Sequence, residues 1–157
     1  MDMLYENLLK RQQLLDDNDV KLRIIGEMDK LPGALRKKLR ESEEKSQGHR
    51  GLQVNLALNY GSRQEILHAV REIISRGIPA ERIDEAAFSG FLYTAGSPDP
   101  DLLIRTSGEL RLSNFLLYQL AYAELYFTPT LWPDFRARDF FQAVIAYQAR
   151  ERRFGNL

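Results

Sequence analysis

The sequence predicts an α/β fold in which a parallel sheet is flanked by helices. Three observations predict it. Short apolar runs at residues 20–25 (VKLRII), 52–58 (LQVNLAL) and 102–104 (LLI) alternate with segments of helical periodicity, the pattern of a sheet covered on both faces. Residues 52–76 read as one strand–turn–helix unit punctuated by Asn59-Tyr60-Gly61-Ser62. The chain has 157 residues, 44% of them hydrophobic, which suits a single domain with a real core.

The elements follow in order. Met1, Leu4, Tyr5, Leu8, Leu14 and Leu15 give residues 1–15 a helical spacing, and Asp16-Asp17-Asn18-Asp19 is a polar break. Residues 20–25 form a strand ending at Gly26. Residues 30–45 are highly charged, and a thin stripe of Leu31, Leu35 and Leu39 predicts a solvated helix. Residues 48–51 turn, and residues 52–58 alternate apolar and polar as a second strand. Ile66, Leu67, Val70, Ile73 and Ile74 predict a helix over 63–76, stopped by Gly77. A shorter helix lies within 79–93. Residues 97–100 are a loop, 102–104 a buried strand and 105–113 a polar loop. Residues 114–123 are apolar all round and predict a buried helix. Residues 125–127 are a last strand. The chain turns at Trp132-Pro133-Asp134-Phe135. Asp139 then caps a final helix whose core face is Phe140, Phe141, Val144, Ile145 and Gln148, with Gly155 suited to its end.

Composition excludes several chemistries. With 22 basic and 22 acidic residues there is no cationic excess to neutralise nucleic-acid phosphates. The absence of cysteine removes disulfides, thiolate zinc sites and thiol nucleophiles. Two histidines, His49 and His68, argue against a histidine metal site, lack a serine or carboxylate at recognisable spacing, and read as surface residues. No apolar run reaches the ~18 residues a membrane span needs. The start, Met1-Asp2-Met3-Leu4, is acidic where a signal peptide is basic, so a cytoplasmic protein is expected.

The residues with most chemistry lie in the loop 105–114 (RTSGELRLSN), between an apolar strand and an apolar helix. Ligands of open α/β sheets sit beyond the carboxyl ends of strands. Arginine presents a fork of donors that matches phosphate oxygens, and serine adds a hydroxyl. One reading is a diphosphate pocket, with Ser113 at a helix N-cap that favours anions. The other is a surface loop whose arginines pair with Glu109 and Asp101; the two weigh evenly on the residues alone. Glu124, flanked by apolar sequence, needs a partner: an arginine in a structural ion pair, or magnesium, which takes one or two carboxylates plus substrate phosphates. Residues 59–63 read first as a tight turn. The tail Arg150-Glu-Arg-Arg-Phe-Gly155 reads first as a solvated helix end.

DLLIRTSGELRLSNFLLYQLAYAELYF, followed by LWPDF and RERRFG, closely resembles the C-terminal part of cis-prenyltransferases, the family of undecaprenyl diphosphate synthases, and VKLRIIG and LQVNLALNYGSR resemble it too. The resemblance runs from Val20 to Gly155 and implies that family's parallel sheet flanked by helices, a homodimer, and extension of an allylic diphosphate such as farnesyl diphosphate by isopentenyl diphosphate with cis stereochemistry, giving a polyprenyl diphosphate lipid carrier. It implies that Arg105, Arg111 and Ser113 hold the diphosphate of isopentenyl diphosphate, that the Leu112 backbone joins them, that Glu124 helps bind Mg2+, and that Arg153 and Gly155 reach the substrate site across the dimer. It implies no nucleic-acid partner and no transmembrane segment, with peripheral membrane contact through the lipid product. A growing hydrocarbon needs a dry channel, since each exposed methylene forfeits ~0.8 kcal/mol; Leu4, Leu8, Val54 and Leu56 are candidates for its wall.

The family's N-terminal strand and loop, with a magnesium-binding aspartate and a proton-accepting asparagine, have no counterpart here. Residues 1–157 are therefore expected to be the C-terminal portion of one cis-prenyltransferase domain, incomplete at the N-terminus, with no catalytic residue of its own. Such a portion should expose apolar surface and backbone donors, and be poorly stable and inactive alone. Ser62 stands where the family usually has glycine, which a negative φ would tolerate. The alternatives are a non-catalytic isopentenyl-diphosphate-binding subunit of a heteromeric enzyme and, more weakly, another phosphate-ligand α/β protein sharing only the architecture.

Overall fold

The computed structural model describes residues 13–150. The chain forms two compact units that divide after Ala95. In the first, residues 13–17 are helical, so the helix continues through Asp16 and Asp17 rather than breaking there, and Asp19 turns the chain at φ 53°. Leu4 and Leu8 lie outside the described residues. Then come β1 (Lys21–Ile25), α1 (Gly33–Ser46), β2 (Gln53–Ala57), α2 (Ser62–Ser75) and α3 (Glu85–Ser89). β1 and β2 pair in parallel, with Lys21 opposite Gln53 and Ile25 opposite Ala57.

The predicted leucine stripe is the core of this unit. Leu31, Leu35 and Leu39 are buried, and Ile24, Met28, Leu56 and Leu58 pack against them. Leu56 thus faces the leucine cluster and is half-buried, while Val54 is exposed. α1 also covers the second edge of β1. Odd-numbered β1 residues face β2, and the even-numbered amides of Leu22 and Ile24 donate to Ser46 Oγ at 3.0 Å and Glu43 Oε1 at 2.6 Å. These two donors on that edge of β1 are therefore satisfied by side chains.

Gly26 ends β1 at φ +117°, and a Cβ there would lie 2.2 Å from the Leu58 carbonyl oxygen, so only glycine fits. α2 ends as expected at Gly77: Ile78 N–H donates to Ile73 O at 3.2 Å and Gly77 N–H to Ile74 O at 3.0 Å. Ser62 is helical and is not among the residues with positive φ. The expected helix within 79–93 is shorter, one 3-10 turn (Ala80–Arg82) and α3, which Asp84 caps by accepting from Ala87 N–H at 2.7 Å.

The second unit holds β3 (Leu102–Arg105), β4 (Glu124–Phe127) and α4 (Ala137–Gln148), with β3 and β4 parallel and Leu102 opposite Glu124. Two expectations fail here. Residues 114–123 form turns, not a buried helix: Ser113, Asn114 and Leu116 adopt φ of 50°, 63° and 45°, which breaks the i to i−4 ladder. Leu116, Gln119 and Leu120 are buried there, whereas Tyr122 is exposed. In α4, Asp139 is not the N-cap. It occupies the third position and accepts from Arg136 N–H at 2.9 Å. The predicted core face is not buried either: Phe140, Phe141 and Ile145 are 47%, 61% and 64% exposed, and Ala143 is the buried residue, because α4 packs within its unit on β4 through a narrower face. Among the described residues no helix is long and apolar enough to cross a membrane.

Candidate functional site

The loop after β3 is built by a chain reversal. Arg105 ends the strand, and Ser107 and Gly108 both take φ 70°. That left-handed pair turns the chain so that residues 111–113 return over Arg105. Arg105 Nη1 then donates to Ser113 Oγ at 3.0 Å and to the Arg111 carbonyl. Two of the nominated side chains, Arg105 and Ser113, are therefore together. Arg111 contributes its carbonyl, while its guanidinium pairs with Glu109, as the surface-loop reading expected. Ser113 caps no helix: the left-handed backbone from residue 113 prevents one, so no helix N-terminus faces an anion here.

Next to this cluster lies an open hollow of about 200 Å³ lined by Leu103, Ile104, Arg105, Thr106, Leu112 and Phe115. Leu112 is half-buried on its wall. A guanidinium beside apolar side chains offers a charged end and an apolar end to one ligand. Arg153 and Gly155 lie outside the described residues.

Glu124 opens β4, and its Oε2 accepts from Arg150 Nη1 at 2.5 Å, while Arg150 Nη2 donates to Leu125 O at 3.1 Å. The structural ion pair is thus the arrangement present. Magnesium demands near-octahedral oxygen ligands. Among the described residues no group of three or more His, Asp or Glu could hold a metal. Glu124 is engaged by Arg150 in this arrangement, and its backbone N–H donates to the carbonyl of a second acidic residue, Asp101, at 2.9 Å.

The first unit carries a second polar cluster at the carboxyl ends of β1 and β2. Asn59 Nδ2 donates to Glu27 O at 3.1 Å, fixing the turn into α2. Glu65, fully buried, accepts from Tyr60 Oη at 2.5 Å and from Tyr93 N–H at 2.8 Å. His68 stacks on Tyr93 with centroids 4.9 Å apart. The Tyr93 phenol is pushed above its ordinary range, first by desolvation and then by the Glu27 and Glu65 carboxylates. The histidines are not plain surface residues: both are half-buried, and His49 Nδ1 bonds Val20 O at 2.9 Å with Nε2 3.8 Å from Asp16 Oδ1.

Glu65 escaped the sequence reading, although its place in the i, i+4, i+8 row with buried Ala69 and Ile73 marks it as core-facing. Thr128 and Thr130 escaped it too; their signal is a Thr-Pro-Thr step directly after a strand.

The comparisons with known proteins bear on the whole chain. A family model described as "Putative undecaprenyl diphosphate synthase" matches residues 1–155. An isoprenyl transferase of Heliobacterium mobile is 48% identical over 160 residues, covering 99% of this chain and 62% of that protein. The crystal structure of lavandulyl diphosphate synthase from Lavandula x intermedia, in complex with dimethylallyl diphosphate, superposes with a TM-score of 0.91 at 39% identity, over 98% of this chain and 69% of that one. A probable undecaprenyl diphosphate synthase from Campylobacter jejuni gives a TM-score of 0.88 at 35% identity, over 99% and 72% of the two chains. The chain spans about three fifths of the length of the curated relatives it matches first. With a family match over nearly its whole length, relatives 48% and 50% identical, and a parallel α/β architecture shared with two solved synthases, this chain belongs to the undecaprenyl diphosphate synthase family of isoprenyl transferases.

Proposed function

We propose that the protein carrying this chain is a cis-prenyltransferase. It condenses isopentenyl diphosphate onto an allylic diphosphate such as farnesyl diphosphate to make a polyprenyl diphosphate lipid carrier. The observation that carries this reading is the Arg105 guanidinium, 3.0 Å from Ser113 Oγ, at the rim of the hollow that Leu112 and Phe115 line. A diphosphate would meet guanidinium and hydroxyl donors, and the five-carbon unit would meet the apolar wall. Arg111 joins by exchanging Glu109 for a phosphate oxygen, an exchange of one exposed partner for a more highly charged one. Relatives named isoprenyl transferase and a relative solved with an allylic diphosphate support the substrate class.

In the reaction, the allylic C–O bond breaks, diphosphate leaves, a C–C bond forms to isopentenyl diphosphate and one proton departs. Arginine stays protonated at neutral pH, so Arg105 and Arg111 bind and orient charge rather than accept that proton. Fixed donors next to a diphosphate are strongest where water is excluded. Arg153 and Gly155 complete the site in the same reading, from a second copy in a homodimer. Magnesium belongs to it by resemblance at Glu124, where Arg150 now stands, and no step is assigned to it. Peripheral contact with a membrane follows from the lipid product.

The test is incorporation of radiolabelled isopentenyl diphosphate by the full-length protein with farnesyl diphosphate. Label passing into butanol-extractable polyprenyl diphosphate is expected. Absence of both incorporation and isopentenyl diphosphate binding would overturn the reading.

A further inference from the structure

We infer that Thr128 is a positioning residue for the Arg105–Ser113 loop, acting through Thr130; this rests on the diphosphate-binding reading of that loop. The loop is fastened to the chain leaving β4 by three backbone bonds. Thr128 N–H donates to Arg105 O, Gly108 N–H donates to Thr128 O, and Ser107 N–H donates to Thr130 O, each at 2.9 Å. These are the bonds that hold Ser107 and Gly108 in their left-handed pair, and a non-glycine residue stays in that region only where its surroundings impose it. The segment 128–130 that receives them is shaped by one hydroxyl. Thr128, 8% exposed, donates through Oγ1 to Thr130 Oγ1 at 3.1 Å and accepts from Thr130 N–H at 3.3 Å. That closes a short turn across Pro129 and aims the Thr130 carbonyl at Ser107.

The chain of dependence is short. The Thr128 hydroxyl orients Thr130, the Thr130 carbonyl fixes Ser107, and the reversal at 107–108 sets where residues 111–113 lie over Arg105. Thr128 touches neither Arg105's guanidinium nor Ser113 in any of these bonds, so its influence on a ligand is through geometry. Binding depends steeply on how well the donors are preorganised.

The experiment compares Thr128→Val, which replaces the hydroxyl by a methyl of similar size, with Thr128→Ser and Thr130→Val in the full-length protein. Amide hydrogen exchange at Ser107 and Gly108 and calorimetric binding of isopentenyl diphosphate are both read. In Thr128→Val, exchange at the two amides should quicken about tenfold, and KM and Kd for isopentenyl diphosphate should rise about tenfold, with the allylic KM and the melting temperature little changed. Thr128→Ser should restore all of these to within about twofold. Thr130→Val, which keeps the backbone donor, should give a smaller change in the same direction. Unchanged exchange, or unchanged affinity in a wild type that binds, overturns the inference. So does a Thr128→Ser variant as impaired as Thr128→Val. If Thr128→Val does not fold, the Thr128→Ser and Thr130→Val comparison decides alone. A wild-type protein that binds no isopentenyl diphosphate, yet shows the exchange effect, sinks the reading of the site and leaves the clamp standing as a fold feature.

Discussion

Replacing Gly26 by alanine should destabilise the first unit more than any other glycine substitution in the described residues. The backbone at Gly26 has φ +117°, and a non-glycine residue held on the positive side of φ loses about 1–2 kcal/mol. The added Cβ would stand 2.2 Å from Leu58 O and 3.1 Å from Tyr60 Cβ. The first neighbour is backbone, in the segment leading from β2 into α2, and cannot swing away. Forcing it aside resembles overpacking, roughly 1–3 kcal/mol. Together the loss is about 2–5 kcal/mol, a large part of a usual stability of ~5–15 kcal/mol. For a chain of this size that corresponds to a melting point lower by roughly 5–20 °C. Gly77→Ala is the control: its φ is +62°, but nothing lies within 4 Å of an added Cβ, so only strain remains, about 1 kcal/mol. Urea melts of the two variants beside wild type separate the terms. Equal midpoints for Gly26→Ala and Gly77→Ala would refute the close-approach argument.

Leu39→Ala empties a fully buried position in the leucine cluster and should lower stability by about 2–5 kcal/mol, read as a shift in urea midpoint at constant slope. Glu65→Ala leaves the Tyr93 amide and the Tyr60 hydroxyl without their acceptor and should remove about 2–4 kcal/mol; Glu65→Gln, which keeps one acceptor oxygen, should remove less, and the order of the two in thermal melts is the check. The raised Tyr93 pKa makes stability pH-dependent on the alkaline side. The folded state holds that proton more tightly, so the contribution is fully present below the unfolded pKa near 10 and is lost as pH rises through the higher folded value. Wild type should therefore lose stability more steeply above about pH 10 than Tyr93→Phe, and parallel curves would discredit the assignment.

Much of this was legible in the residues. Leu31, Leu35 and Leu39 at helical spacing located α1 and its buried face. The alternation in 52–58 located β2, and Gly77 located the end of α2. Periodicity reports which residues are apolar, not which backbone angles they adopt. It therefore read 114–123 as a helix, where left-handed residues at 113, 114 and 116 make turns instead. The α4 face failed for a related reason: Phe140, Phe141 and Ile145 share the spacing of a core stripe, but Ala143 is the residue the β3–β4 unit buries. At the site, residue type pointed to Arg105, Arg111 and Ser113. It could not say that Arg105 meets Ser113 while Arg111 meets Glu109, nor that Glu124 is taken by Arg150. The meeting of Arg105 with Ser113 is set by loop geometry, which Thr128 and Thr130 govern from outside the motif.

Calorimetric titration of isopentenyl diphosphate into wild type, Arg105→Ala and Ser113→Ala tests the site most directly. A bond between a charged donor and phosphate contributes about 1.5–3 kcal/mol. Arg105→Ala should therefore weaken binding by roughly 10–150-fold, Ser113→Ala by less, and inorganic pyrophosphate should compete with the wild-type site. Affinity unchanged in Arg105→Ala would contradict the account, whatever the family resemblance of the rest of the chain.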